Sequence, residues 1–152
     1  MKKIVLVLCL FFLDYFSKEI IFNYVDLNSF LYILPILDIA HIHNYGIAFG
    51  FFAGLIPSWT IILISVLITF LIIYMMIMSS VFLEKMGFLL IIIGAISNIV
   101  DRSIDSYVLD FIYFHYGDFY WPAFNFADMY ISIGVFFIIY QSANEFINRR
   151  SK

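Results

Sequence analysis

Charge is what this sequence has least of. Only 12% of the 152 residues are charged, while 64% are hydrophobic and 21% aromatic. Water-soluble domains use about 25% charged residues. A chain this short cannot bury so much apolar surface by itself, so a soluble globular domain is excluded and the surrounding medium must be lipid. Cysteine is nearly absent too. Cys9 stands alone, which rules out a disulfide framework and leaves the redox compartment unreadable. The opening Met1-Lys2-Lys3 and apolar Ile4–Leu13 imitate a secretory leader. No small-residue cleavage site follows, so the segment is expected to stay as a helix. Cys9 follows Val7-Leu8 rather than small residues, and is no lipidation site. Repeats and low-complexity tracts are missing, and no G-x-S-x-G context surrounds Ser17, Ser97, Ser103 or Ser132. The net charge of −3 decides little, because here placement matters more than the sum.

What is present is long apolar runs. About 20 such residues cross a hydrocarbon core as a helix. Segments of about 4–22, 56–79, 86–100 and 128–147 meet or approach that length. They predict an all-α polytopic membrane protein, one domain over 1–152, with four transmembrane helices. Six of the eight basic residues (Lys2, Lys3, Lys85, Arg149, Arg150, Lys152) fall at the two termini and in the link between helices two and three. Basic loops stay inside, so both termini are expected in the cytoplasm. The loops of about 23–55 and 102–127 then face outward, while the inner link Ser79–Lys85 is short. Leu37–Asn44 alternates as a strand does, and Tyr107–His115 is rich in β-branched and aromatic residues. A small extracytoplasmic β-sheet on the outer face is therefore expected. Asn44-Tyr45-Gly46 signals a turn, and Ile47–Phe52 is apolar enough to dip into the interface.

The scarce charges are the candidates for chemistry, since ionisable groups at membrane depth default to function. Nine of the eleven carboxylates, all but Glu84 and Glu145, fall in the outer half of this topology. A polar pathway for a channel or transporter would spread them through the membrane. Asp14 and Lys18 are four apart, on one helix face. They either neutralise each other while Lys18 snorkels outward, or anchor a site built above them. Asn98, Asp101 and Arg102 share another face, where Arg102 is expected to fork onto a carboxylate and keep Asp101 ionised as a buttress. Asp110 and Asp128 have no basic neighbour in sequence and lie among apolar residues. Brought together, such acids share one proton and titrate as a unit. One then activates water while the other donates to a carbonyl. The bland alternative is two unrelated acids, with Asp128 an ordinary helix N-cap. A metal site from His41, His43 and His115 is the rival chemistry, but their spacing fits no zinc pattern, so no metal is expected.

Taken in order, these residues resemble a family. Asp14-x-x-Ser17-Lys18, Asn44-x-Gly46-x-Ala48-Phe49, Gly94-x-x-x-Asn98-x-x-Asp101-Arg102, Val108-x-Asp110-Phe111-Ile112 and Phe124-Asn125-x-Ala127-Asp128 are similar to the motifs of bacterial lipoprotein signal peptidase, or signal peptidase II. The resemblance covers nearly the whole chain. It implies an aspartyl endopeptidase of the bacterial inner membrane, active near the outer face and without a cofactor. Its substrates would be diacylglyceryl-modified prolipoproteins, cut just before the lipidated cysteine, with membrane lipid as its surroundings. Globomycin would inhibit it, and no nucleic acid is involved. By the same resemblance Asp110 and Asp128 are catalytic. Asn44, Gly46, Asn98, Asp101, Arg102 and Asn125 order or support the site, with Asp14 and Lys18 supporting the fold. Tyr15 stands where the family usually has Gln, and Ile93 and Ser97 where it often has Gly, which bears on how closely the third helix approaches its neighbours. The presenilin and prepilin-peptidase kind of aspartyl peptidase carries Gly-x-Gly-Asp, which Ile92-Ile93-Gly94-Ala95 does not match.

Overall fold

The computed structural model describes residues 2–47 and 51–150. Ala48 and Phe49 of the second motif, half of the expected dipping segment, and Lys152 lie outside these residues. Among the described residues four helices run Lys2–Tyr24 (α1), Ser58–Met78 (α2), Phe82–Asp105 (α3) and Phe126–Arg150 (α4). Four strands lie between them: Phe30–Leu34 (β1), Leu37–Asn44 (β2), Val108–Tyr116 (β3) and Phe119–Tyr120 (β4).

Three helices, α2, α3 and α4 through Asn148, are long and apolar enough to cross a membrane. Their outward faces show why lipid is required: Leu67, Phe70, Phe136 and Ile139 are each about 60% exposed, a surface water would not tolerate. The third helix is longer than the apolar run of 86–100 suggested, with 24 residues. Glu84 in its first turn suits the positive end of the helix dipole, and Arg102 in its last turn suits the negative end. Those charges end the apolar run but not the helix. The inner link therefore shrinks to Ser79–Val81, where the Ser79 hydroxyl donates to Glu84 at 2.7 Å. Ser106, in the left-handed region at φ 67°, closes the outer end and donates its N–H to the Arg102 carbonyl.

Helices α3 and α4 pack against each other so tightly that their glycines leave no room. A Cβ on Gly87 would lie 2.7 Å from the Gly134 carbonyl, and one on Gly94 would lie 2.8 Å from an Ile131 carbon. Small residues that let backbones touch are the usual device for helix pairs in lipid. The expected sheet is present as four antiparallel strands in the order β1-β2-β3-β4. β2 pairs with β3 in register Asn44 to Val108 and Ile42 to Asp110, with an irregularity between Ile39 and Ile42. Its apolar core is Leu109, Phe111 and Ile112, packed on Ile21, Phe124 and Phe126. The segment before α4 is stitched to β3, since the N–H groups of Phe111 and Ile112 both donate to the Phe124 carbonyl, at 3.0 and 2.8 Å. That stitch carries Asn125 to Asp110.

Candidate active site

Two acid clusters sit where the sheet meets the helices. The first is closed. Asp14 on α1 is fully buried, and one of its oxygens accepts from Lys18 and from the Ser97 hydroxyl, each at 2.6 Å. The other accepts the Ala127 N–H at 2.9 Å. Lys18 does not snorkel outward. It is 5% exposed and turns inward to Asp101 at 2.6 Å and the Asn98 amide oxygen at 3.1 Å. A second carboxylate inside the bundle holds the ammonium in place of water, so one cation ties α1 to α3, and Asp14 extends the tie to α4 through the Ala127 N–H. Ser97, a family departure by resemblance, fills its place by bonding Asp14.

Arg102 also departs from expectation. Among the described residues its guanidinium makes no ion pair. It donates to the Gly46 carbonyl at 2.7 Å and toward the Asn98 carbonyl at 3.4 Å, and its Nε has no partner. Asp101 is paired by Lys18 instead. The arginine sits at the end of its helix, where the turn through Gly46 brings a carbonyl closer than any carboxylate. Its charge still acts on Asp128, Asp110 and Asp101.

The second cluster is open. Asp110 and Asp128 both line a cleft of about 640 Å³ between α2, α3, α4 and the sheet. Ile61, Ile68, Ile92 and Met129 make its apolar wall, and Ser65, Thr69 and Ser132 dot it with hydroxyls. Asp110, 3% exposed, accepts the Asn44 amide at 2.9 Å on one oxygen and the Asn125 amide at 2.7 Å on the other. Asp128 accepts the Asn98 amide at 2.9 Å and the Asn125 backbone N–H at 3.2 Å. In return the Asp128 N–H donates to the Asn125 side-chain oxygen at 3.0 Å. Asn125 is therefore the N-cap of α4 and Asp128 its third residue, a reciprocal capping box. The alternative of Asp128 as an ordinary N-cap does not hold, since the cap is Asn125, three residues earlier. One residue, Asn125, thereby holds both acids, through its side chain and its backbone.

Every donor to these two carboxylates is a neutral amide. Burial pushes the Asp110 carboxyl up to about 7, and Asp128 adds to the rise, while the Asn44 and Asn125 bonds oppose it. The histidines lie elsewhere. His41 and His43 meet each other at 3.0 Å. His115 faces Asp38 at 3.4 Å without hydrogen-bond geometry. Burial, then His41, holds the His43 imidazole below its usual value, and Asp105 pulls the other way. Among the described residues no three His, Cys, Asp or Glu side chains converge as for a metal.

A bundle with lipid-facing helices and two buried acids in one cleft under a small sheet defines a membrane protein with a built polar site. Comparison with known proteins makes this specific. The family described as Signal peptidase (SPase) II matches residues 6–144. The lipoprotein signal peptidase of Wigglesworthia glossinidia brevipalpis is 34% identical, covering 97% of each chain. That of Thermodesulfovibrio yellowstonii is 33% identical, covering 93% of this chain and 94% of the relative. A solved structure described as a bacterial membrane enzyme superimposes with a TM-score of 0.89 at 26% identity, covering 99% of this chain and 93% of its own. The chain belongs to the signal peptidase II family, membrane proteases that remove signal peptides from lipoproteins.

Proposed function

We propose that this chain is an aspartyl endopeptidase that cuts diacylglyceryl-modified prolipoproteins immediately before the lipidated cysteine, with Asp110 and Asp128 as its catalytic pair. The observation that carries the reading is Asn125, whose side chain and backbone N–H reach one acid each. In that arrangement the pair shares one proton. The neutral acid polarises the scissile carbonyl, and the ionised one takes a proton from the attacking water. Asn44, Asn98 and Asn125 fix the carboxylates in place. Arg102 ties the turn at Gly46 to α3, and Asp14, Lys18 and Asp101 hold the bundle beneath.

The substrate's apolar signal helix enters from lipid along the isoleucine wall of the cleft, and its diacylglyceryl chains remain in the bilayer. All four helices span, α1 included; its 23 residues are long enough and its buried charges are mutually paired. Both termini lie in the cytoplasm of a bacterial inner membrane, the sheet and the acids near the outer face. Globomycin, an amphipathic cyclic peptide, occupies the same cleft.

The test is cleavage of a prolipoprotein with and without its diacylglyceryl group, with product masses read by mass spectrometry and a parallel sample containing EDTA. The expected result is a cut directly before the cysteine, only in the lipidated substrate, blocked by globomycin and indifferent to EDTA. A cut elsewhere, or equal cleavage of the unlipidated precursor, would overturn the substrate assignment.

A further inference from the structure

The end of the bundle opposite the sheet carries a second cleft, about 20 Å along α3 from Asn98. α1 and α2 both pack on α3 and leave a groove of about 580 Å³ between them. Its rims, Ile4 and Leu8 on α1 and Ile77 on α2, are exposed. Met76 and Met86 beneath them are half-buried, and methionine adapts to irregular apolar partners. The one charged residue in the lining is Lys85, half-buried and fourth in α3. Among the described residues no carboxylate pairs with it. Glu84 directly precedes it, so the two side chains do not face each other, and Glu84 accepts from the Ser79 hydroxyl instead. A lysine in a first turn also opposes the helix dipole. The helix itself gains nothing from this cation, whereas an anion in the groove would. The wider charge pattern agrees. This end of the topology holds six of the eight basic residues and two of the eleven carboxylates, and the half toward the sheet holds the other nine.

We propose that this groove binds an anionic glycerophospholipid of the leaflet opposite the sheet, its phosphate at the Lys85 ammonium and one acyl chain between α1 and α2. Lipid is the surrounding medium, so a chain fills the groove whatever its headgroup, and Lys85 selects for charge. A zwitterionic headgroup carries its own ammonium, which competes with Lys85 for the phosphate. The groove spans one helical turn, Ile4 to Leu8 and Lys85 to Leu89, about 6 Å. That depth takes the first methylenes below the headgroup, so selection falls on headgroup charge and hardly on chain length. The site rests on the placement of α1 across the bilayer proposed above, and not on the catalytic reading.

The experiment is native mass spectrometry of the full-length protein released from detergent micelles that hold equal amounts of phosphatidylglycerol and phosphatidylethanolamine with identical chains. One phosphatidylglycerol per chain is expected, retained about fivefold over phosphatidylethanolamine. Lys85→Gln should bring the two lipids level, and Met86→Trp, which fills the groove, should lower retention of both. Arg150→Gln removes a cation of the same end that lies over Phe146, and it should leave the preference intact. Equal retention of the two lipids by the wild type would overturn the site. So would a preference kept in folded Lys85→Gln, one lost equally in Arg150→Gln, or displacement of the lipid by inorganic phosphate. The wild-type comparison stands even if a variant misfolds, and no arm depends on cleavage.

Discussion

The two buried acid clusters use the same residue type for opposite ends. Around Asp14 a lysine ammonium sits 2.6 Å from the carboxylate, and a hydroxyl and a backbone N–H complete its shell. Around Asp110 the hydrogen-bond donors among the described residues are neutral amides, and the charges of Lys18 and Arg102 act on it without a hydrogen bond. A carboxylate whose oxygens are taken up by an ammonium, a hydroxyl and a backbone N–H is committed to holding helices together. One held by neutral donors is oriented while its proton stays negotiable. If Asp110 and Asp128 are the catalytic pair proposed above, what separates them from Asp14 is not burial but the kind of donor each accepts from. Ser97 and Lys18 belong to the closed cluster, and Asn44 and Asn98 to the open one. Asn98 bridges the two, accepting from Lys18 and donating to Asp128.

The comparison breaks most visibly at Lys18. Lys18→Met leaves Asp14 and Asp101 buried without a cation, which costs about 3–5 kcal/mol. The measurement is thermal unfolding in detergent, and a melting temperature unchanged from wild type would remove the anchoring role. Next in size is Gly94→Ala, whose new methyl meets Ile131 and the Ala127 backbone. Overpacking of about 1–3 kcal/mol is expected, together with lower activity, because Ala127 lies between Asn125 and Asp128. Asn125→Ala removes a cap worth about 1 kcal/mol, the side-chain donor to Asp110 and the side-chain oxygen that accepts the Asp128 N–H, while the backbone N–H to Asp128 stays. Cleavage should fall far more than stability does, read as kcat against melting temperature on one preparation.

The smallest effect sharpens the contrast through pH. Asp110 titrates at about 7 in the folded chain, against an ordinary value of 3.8. The folded state therefore binds more protons than the unfolded one between those values. This group's stability contribution is full below the unfolded value and lost as pH rises through about 7. The alkaline limb of the rate profile should fall near the same pH, as the shared proton leaves. Asn44→Leu removes a bond that holds the Asp110 value down, so the limb moves to higher pH. A shift to lower pH, or none, would contradict the assignment of Asn44.

Much of this was legible in the residues, and the exceptions share a cause. Apolar runs announce helices, and the alternation over Leu37–Asn44 announces β2. β1 was not read, because all five of its residues are exposed and no inward face imposes alternation. The ends of α3 were missed because a rule keyed to apolar runs stops at Lys85 and Asp101, while Glu84 and Arg102 suit the helix dipole and Lys18 neutralises Asp101. Asn125 and Asp128, three apart before an apolar run, match a capping box on inspection. The reading of Asp128 as the cap itself passed over Asn125. The inward turn of Lys18 and the Gly46 partner of Arg102 depend on which distant elements meet, and no spacing within one helix reports that. The two-histidine contact was visible only as a shared strand face.

The most direct test of the central claim sets Asp110→Asn beside the wild type on the same preparation, with prolipoprotein cleavage measured at about pH 6, below the expected alkaline limb, and melting temperature at about pH 8, above it. No detectable cleavage is expected, with a melting temperature at or above wild type, because the substitution removes a carboxyl whose ionised form burial disfavours. Asp14→Asn, in the closed cluster, should melt lower. Cleavage within tenfold of wild type, or a melting temperature lowered as far as that of Asp14→Asn, would contradict the division between an open, chemical acid pair and a closed, structural one.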